Sequence, residues 1–183
     1  MRSQARLWRR LDGSGHDTCR LDQVADGWQL SGTAVFLHAG EPACLTYTVL
    51  ADTAWQTREG QVHGWAGRRQ VELLLVRRDQ HWSANGRPVA GLADALDLDL
   101  AFTPATNLLP LRRLSVPLGT AVDAPAAWLD TETWTLRRLA QRYEHRSPHA
   151  YWYSGAEAGY ADLLEVDDEG FVRRYPHQWE LVG

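Results

Sequence analysis

Short runs of alternating residues, cut by turn formers every eight to twelve positions, constrain this chain more than any other feature. Trp28, Leu30, Ala34 and Phe36 share one parity from Trp28 to Leu37, while Gln29, Ser31 and Thr33 take the other. A period of two is the signature of a strand with one buried face. Gly32 interrupts that run and marks a bulge or bend. Leu45, Tyr47 and Val49 alternate with Thr46 and Thr48. The stretch Val71–Val76 is apolar on nearly both faces, the pattern of a central strand. Asn85-Gly86 lies between two extended segments and predicts a type I′ hairpin, which needs positive φ at both turn positions. Residues 160–166 and 171–175 flank Asp167-Asp168-Glu169-Gly170 as a second hairpin, and Trp179–Val182 reads as a last strand. The expected fold is mainly β: a curved antiparallel sheet, barrel-like or half-barrel, with at most one or two short helices. Residues 1–183 read as a single domain.

Two places resist that pattern. The segment Thr103–Pro110 carries two prolines, so it is a loop or a single helical turn, and Leu108 and Leu109 predict that it packs inward. In Trp134–His145, Leu136, Leu139, Ala140 and Tyr143 follow helical spacing, while threonines and aromatics suit a strand. The residues alone leave both open.

Composition narrows the chemistry. All 19 basic residues are arginine, which removes lysine Schiff-base and phosphate-loop chemistry. A net charge of −4 argues against nucleic acid as a partner. No apolar run is long enough to span a bilayer, and the N-terminal stretch from Met1 to Arg10 lacks the apolar core of a signal peptide. Cytoplasmic location is therefore expected, with Cys19 and Cys44 as reduced thiols. The histidines have no metal-ligand spacing, so no metal or other cofactor is expected. Oligomeric state is not legible.

Nine Trp and six Tyr offer flat faces with polar edges. Either they fill a β core, or some line an amphipathic cavity. Trp55, Arg58, Trp82, Asn107, Arg112, Arg113, Gln141, Tyr143 and Tyr175 all sit in or beside β segments and form the candidate ligand-binding set. Indole and phenol faces cover sugar rings, arginine forks grip head groups, and amides satisfy hydroxyls. The competing enzymatic candidate is Asp97-Leu98-Asp99, whose extended spacing puts two carboxylates on one face as an acid and base for a hydrolase or transferase on a glycosyl or acyl substrate. Arg112 and Arg113 are equally natural ion-pair partners for those acids. A third reading makes Thr103–Arg113 a core plug in a structural or partner-binding module, with Asn107 and the arginines satisfying buried groups.

Several of these residues stand in a recognisable order. Asp52-Thr53-Ala54-Trp55-Gln56-Thr57-Arg58, the hairpin His81–Gly86, and Leu96–Leu114 with its Thr103-Pro104-Ala105-Thr106-Asn107 core and Arg112-Arg113 end resemble the elements of a bacterial family described as putative glycolipid-binding, formerly a domain of unknown function. Gln141-Arg142-Tyr143, Tyr151-Trp152-Tyr153 and the closing residues Asp167, Gly170, Val172, Tyr175, Pro176 and Trp179 follow in order. The resemblance implies a curved or half-barrel sheet similar in shape to periplasmic lipoprotein carriers. It also implies an amphiphilic small-molecule partner, a glycolipid, bound without catalysis. It favours extended structure for Trp134–His145, with Trp134, Leu136 and Ala140 facing one way and Thr135, Leu139 and Tyr143 the other.

Overall fold

A computed structural model describes residues 4–182 of the chain; residues 1–3, at the start of the N-terminal stretch, and residue 183 lie outside the described residues. The first half is a meander of long strands, as the alternation predicts: β1 Gln4–Arg10, β2 Gly15–Val24, β3 Gly27–His38, β4 Glu41–Ala51, β5 Thr57–Ala66, β6 Arg69–Arg78, β7 His81–Ala84 and β8 Arg87–Val89. The chain then leaves the sheet through β9 Asp97–Leu100, a 3-10 turn at Ala105–Asn107 and helix α1 Leu108–Leu114, returns to the sheet edge as β10 Ala121–Asp123, and leaves again through β11 Ala126–Asp130 and β12 Thr135–Leu139. A second meander ends the chain: β13 Gln141–Ser147, β14 Ala150–Gly155, β15 Tyr160–Val166, β16 Val172–Tyr175 and β17 Trp179–Leu181.

The two meanders join at β1 and β17, giving one 14-stranded curved sheet that runs from β10 at one edge to β8 at the other without closing. The half-barrel expectation holds. The middle segment forms a separate three-stranded sheet, β12-β11-β9, in which β9 and β11 are parallel. Parallel strands need a long crossover, and here the crossover carries α1.

That middle segment occupies the inner face of the large sheet. Leu92, Ala95, Leu98, Leu100, Phe102, Ala105, Leu108 and Leu109 are all buried, against inward residues of both meanders such as Leu30, Val49, Tyr143 and Val172. Specific contacts locate it. Phe102 lies 6.2 Å from the Phe36 ring and 5.8 Å from Tyr47. Leu98 packs over Gly60 of β5, where a Cβ would meet it at 2.2 Å. Trp82 donates its indole N–H to the Ala95 carbonyl at 2.9 Å. Fully burying such side chains contributes on the order of 1.5–3 kcal/mol each. The inner face is therefore filled by the protein's own chain.

The Asn85-Gly86 hairpin forms as predicted, with φ of 49° and 76°. Gly32 departs from expectation. β3 keeps register with both neighbours through it, and its role is space: a Cβ there would stand 2.3 Å from the Tyr47 ring. Strand β6 also departs, because Val71 and Leu75 are buried but Leu74 faces outward, 41% exposed. Only its inner face meets the filling segment. Residues 135–147 are extended, as the family pattern favours, but the strand breaks at Ala140 where the chain passes from the small sheet to the large one. That switch buries both Leu136 and Leu139 despite their opposite parity. The Thr103–Pro110 segment packs inward and runs into a seven-residue helix, with Pro110 in its first turn, where a missing N–H costs nothing. Among the described residues, no helix is long and apolar enough to cross a membrane.

Candidate functional site

The candidate residues fall into three places. Trp55 and Arg112 share one surface. Asp52 builds the turn beneath them: its carboxylate accepts the Ala54 and Gln56 N–H groups at 2.9 and 3.0 Å, and its carbonyl accepts the Trp55 N–H. This Asx-type turn holds Trp55 in the left-handed region, φ 65°, which is uncommon and strained for a bulky residue. Trp55 stacks on Trp28 at 4.5 Å, and the Arg112 guanidinium lies 5.5 Å from the Trp55 ring. They flank a depression of about 480 Å³ with His145, Tyr151 and the acidic turn Asp167–Gly170. Arg58 stands apart, exposed in an outer groove beside Arg77, Arg78, Leu50 and Val76.

The remaining residues converge on Asp99. Asn107 donates from its amide to the Tyr143 hydroxyl at 3.0 Å, Tyr143 donates to the Gln141 carbonyl oxygen at 2.9 Å, and Gln141 donates its amide to Asp99 at 3.2 Å. This relay crosses from the Thr-Pro segment through β13 to β9. Burial pushes the Tyr143, Tyr153 and Tyr175 phenols well above their ordinary range, so they act as neutral groups. Arg113 grips Asp97 through two N–H groups at 3.1 and 2.6 Å. Burial raises the Asp97 pKa, and the Arg113 bonds and charge pull it back. Burial also raises Asp99, helped by the Asp97 charge and opposed by the Gln141 bond, to about 7.

Asp97 and Asp99 do not act as an exposed pair. Asp97 is buried and locked to Arg113, whereas Asp99 opens into a cavity of about 440 Å³. Asn107, Thr103, Tyr153 and Tyr175 line its inner part, and Trp128 and Trp179 add two indoles. Trp128 comes from β11, whose parallel register places it directly beside Asp99. At the mouth, Asp130 accepts from Arg137 at 3.2 Å, and Asp12 accepts from Arg10 at 2.8 Å. Burial pushes Asp130 up, but hydrogen bonds from Thr133, Glu132 N–H and Arg137 outweigh it and leave the pKa below its ordinary value. The volume lies in the usual range of small-molecule sites, roughly 300–1,000 Å³.

The sequence profile of a family described as "Putative glycolipid-binding" matches residues 5–180. The chain belongs to this family. A crystal structure of a DUF1089 family protein from Pseudomonas aeruginosa superposes with a TM-score of 0.78 at 25% identity, covering 90% of this chain and 91% of that one. No curated protein matches.

The residues by which the chain resembles the glycolipid-binding family serve the filling segment and the cavity behind it. Thr57 accepts the Leu98 N–H, and its own N–H goes to the Leu96 carbonyl, both at 3.0 Å. Thr106 accepts the Leu100 N–H at 3.3 Å. Thr103 donates to Asp17 at 2.5 Å while accepting the Ala105 N–H. Trp82 is wholly inside the core. Alternation and motif matching missed Asp99 as a cavity residue in its own right, and missed Trp128, Tyr153 and Trp179. The Asp-Leu-Asp spacing marked Asp99 only as half of a pair. Nothing local to Trp128 signals its neighbour across a parallel ladder. Cys19 is buried, and burial pushes its thiol up to about 12, which removes it as a nucleophile at neutral pH. Among the described residues, no three His, Cys, Asp or Glu side chains gather as a metal site.

Proposed function

We propose that this protein binds the polar, hydroxylated head group of an amphiphile, of the glycolipid class, in the Asp99 cavity. The carrying observation is convergence: the Asp99 carboxylate, the Asn107 amide and the faces of Trp128, Tyr153, Tyr175 and Trp179 border one space. Aromatic faces cover the C–H side of a sugar while fixed polar groups take its hydroxyls. Because the inner face of the sheet is occupied by residues 92–109, this reading gives the cavity to the head group and leaves the acyl chains outside it. Within the candidate set, Asn107 and Tyr175 touch the ligand, Gln141 and Tyr143 orient Asp99, and Trp82 and Arg113 hold the filling segment. Trp55, Arg112 and Arg58 provide outer surfaces for the rest of the amphiphile.

Native mass spectrometry of the purified protein, before and after incubation with a bacterial lipid extract, tests this reading. A bound amphiphile of defined mass is expected, displaced by its free head-group sugar. Ala101 lies exposed at the cavity, so Ala101→Trp is expected to keep the fold and abolish that mass shift. Absence of any bound species, or full binding by Ala101→Trp, overturns the assignment.

A further inference from the structure

The charges around the cavity leave one sign unanswered. Two arginines reach it, and both are taken: Arg10 forks onto Asp12 at 2.8 and 2.5 Å, and Arg137 bonds to Asp130. Three carboxylates remain without a guanidinium among the described residues: Asp99 on the floor, and Glu132 and Glu157 at the mouth. Glu157 accepts one backbone N–H, from Ala140. Asp99 is satisfied on one oxygen by Gln141, and its other oxygen accepts nothing among the described residues. That oxygen faces the cavity, where a cationic donor gives it a charge-assisted bond stronger than a neutral one. The aromatic faces of Trp128, Tyr153 and Tyr175 border the same space, and such faces attract cations.

We propose that the head group selected by this cavity carries a free amine, whose ammonium pairs with Asp99 between the aromatic walls. The proposal rests on the head-group reading above and specifies its chemical class. A neutral hydroxyl gives Asp99 one hydrogen bond; an ammonium gives it a bond and a countercharge between aromatic walls. The groups facing Asp99 do not supply that charge. Asp97 is negative and spent on Arg113, Tyr143, Tyr153 and Tyr175 are neutral, and Arg137 and Arg10 are held at the mouth by their own carboxylates. The amine therefore displaces the proton that the empty cavity retains on Asp99, and binding strengthens as pH rises through neutrality.

Titration calorimetry with three matched probes tests this: 2-aminoethyl glucoside, its N-acetyl derivative and ethyl glucoside. At about pH 8 the amine is expected to bind roughly tenfold tighter than either neutral probe; this margin shrinks by about pH 5.5, where the alkylammonium stays charged and its binding releases the Asp99 proton into the buffer. In Asp99→Asn the ratio of amine to neutral affinity falls to about one, because the countercharge is gone. If the neutral probes bind as tightly as the amine, the head-group reading stands and the amine assignment fails. If none of the three binds, both fail. An amine preference that survives Asp99→Asn also overturns the proposal. The probe comparison on the unmodified protein stands without the variant.

Discussion

Asp17 and Asp99 are two carboxyl groups with the same altered acidity and different surroundings. Burial raises each to about 7. Asp17 is fully enclosed, and its donors are complete: Thr103 at 2.5 Å and the Tyr47 hydroxyl at 3.0 and 3.2 Å. It ties the filling segment to β2 and β4. Asp99 has one donor, Gln141, and opens into a cavity. A shifted pKa alone thus marks burial, not function. The distinguishing features are access and an acceptor left empty.

The comparison predicts different failures. The largest belongs to Asp17→Ala, which removes the acceptor shared by two buried hydroxyls, leaves the Tyr47 and Thr103 hydroxyls only each other as acceptor at 3.1 Å, and opens a cavity. Urea unfolding at about pH 5 is expected to show a loss of about 3 kcal/mol. An undiminished midpoint breaks the claim that Asp17 anchors the segment. Next is pH. The folded pKa of Asp17 lies above its unfolded value near 3.9, so the folded state holds the proton more tightly. Its stabilising contribution is complete below about pH 4 and is lost as pH rises to about 7. Asp17→Asn is therefore expected to gain on the unmodified protein between those limits by about 3 kcal/mol in denaturation curves. Parallel curves for the two proteins contradict the assignment.

Gly32→Ala attacks the same anchor from the strand side, since the new methyl meets the Tyr47 ring at 2.3 Å and the Thr18 carbonyl at 2.5 Å. A loss of about 1.5 kcal/mol is expected by thermal unfolding. Asp99→Asn is expected to change stability by less than about 1 kcal/mol, because solvent reaches that side chain, while removing the amine preference. A large loss of stability there would make Asp99 a second Asp17. The smallest effect is Arg112→Ala, about 0.5 kcal/mol, since an exposed guanidinium over Trp55 contributes little. A larger loss would show that the strained Trp55 turn depends on it.

The sequence by itself determined the strands and their turns, because those depend on neighbours in the chain. The alternation at Trp28–Leu37 forms β3, and Asn85-Gly86 makes its hairpin for the local reason that both positions tolerate positive φ. The inward packing of Thr103–Pro110 was legible from two prolines beside two leucines. The family resemblance was legible too, because the polar residues carrying it are closely spaced. Tertiary structure decided the rest. Gly32 makes room for a ring one strand away, and Leu74 faces outward because the filling segment covers only the inner face of β6. Trp55 and Arg112 meet on one surface, while Asn107, Gln141 and Tyr143 meet behind Asp99. Asp97 and Asp99, two residues apart, part company because Arg113 returns to one and a cavity opens onto the other. Local pattern specifies which face of a strand is apolar. What lies opposite that face depends on chain returning from many residues away, and here it is the protein's own middle segment.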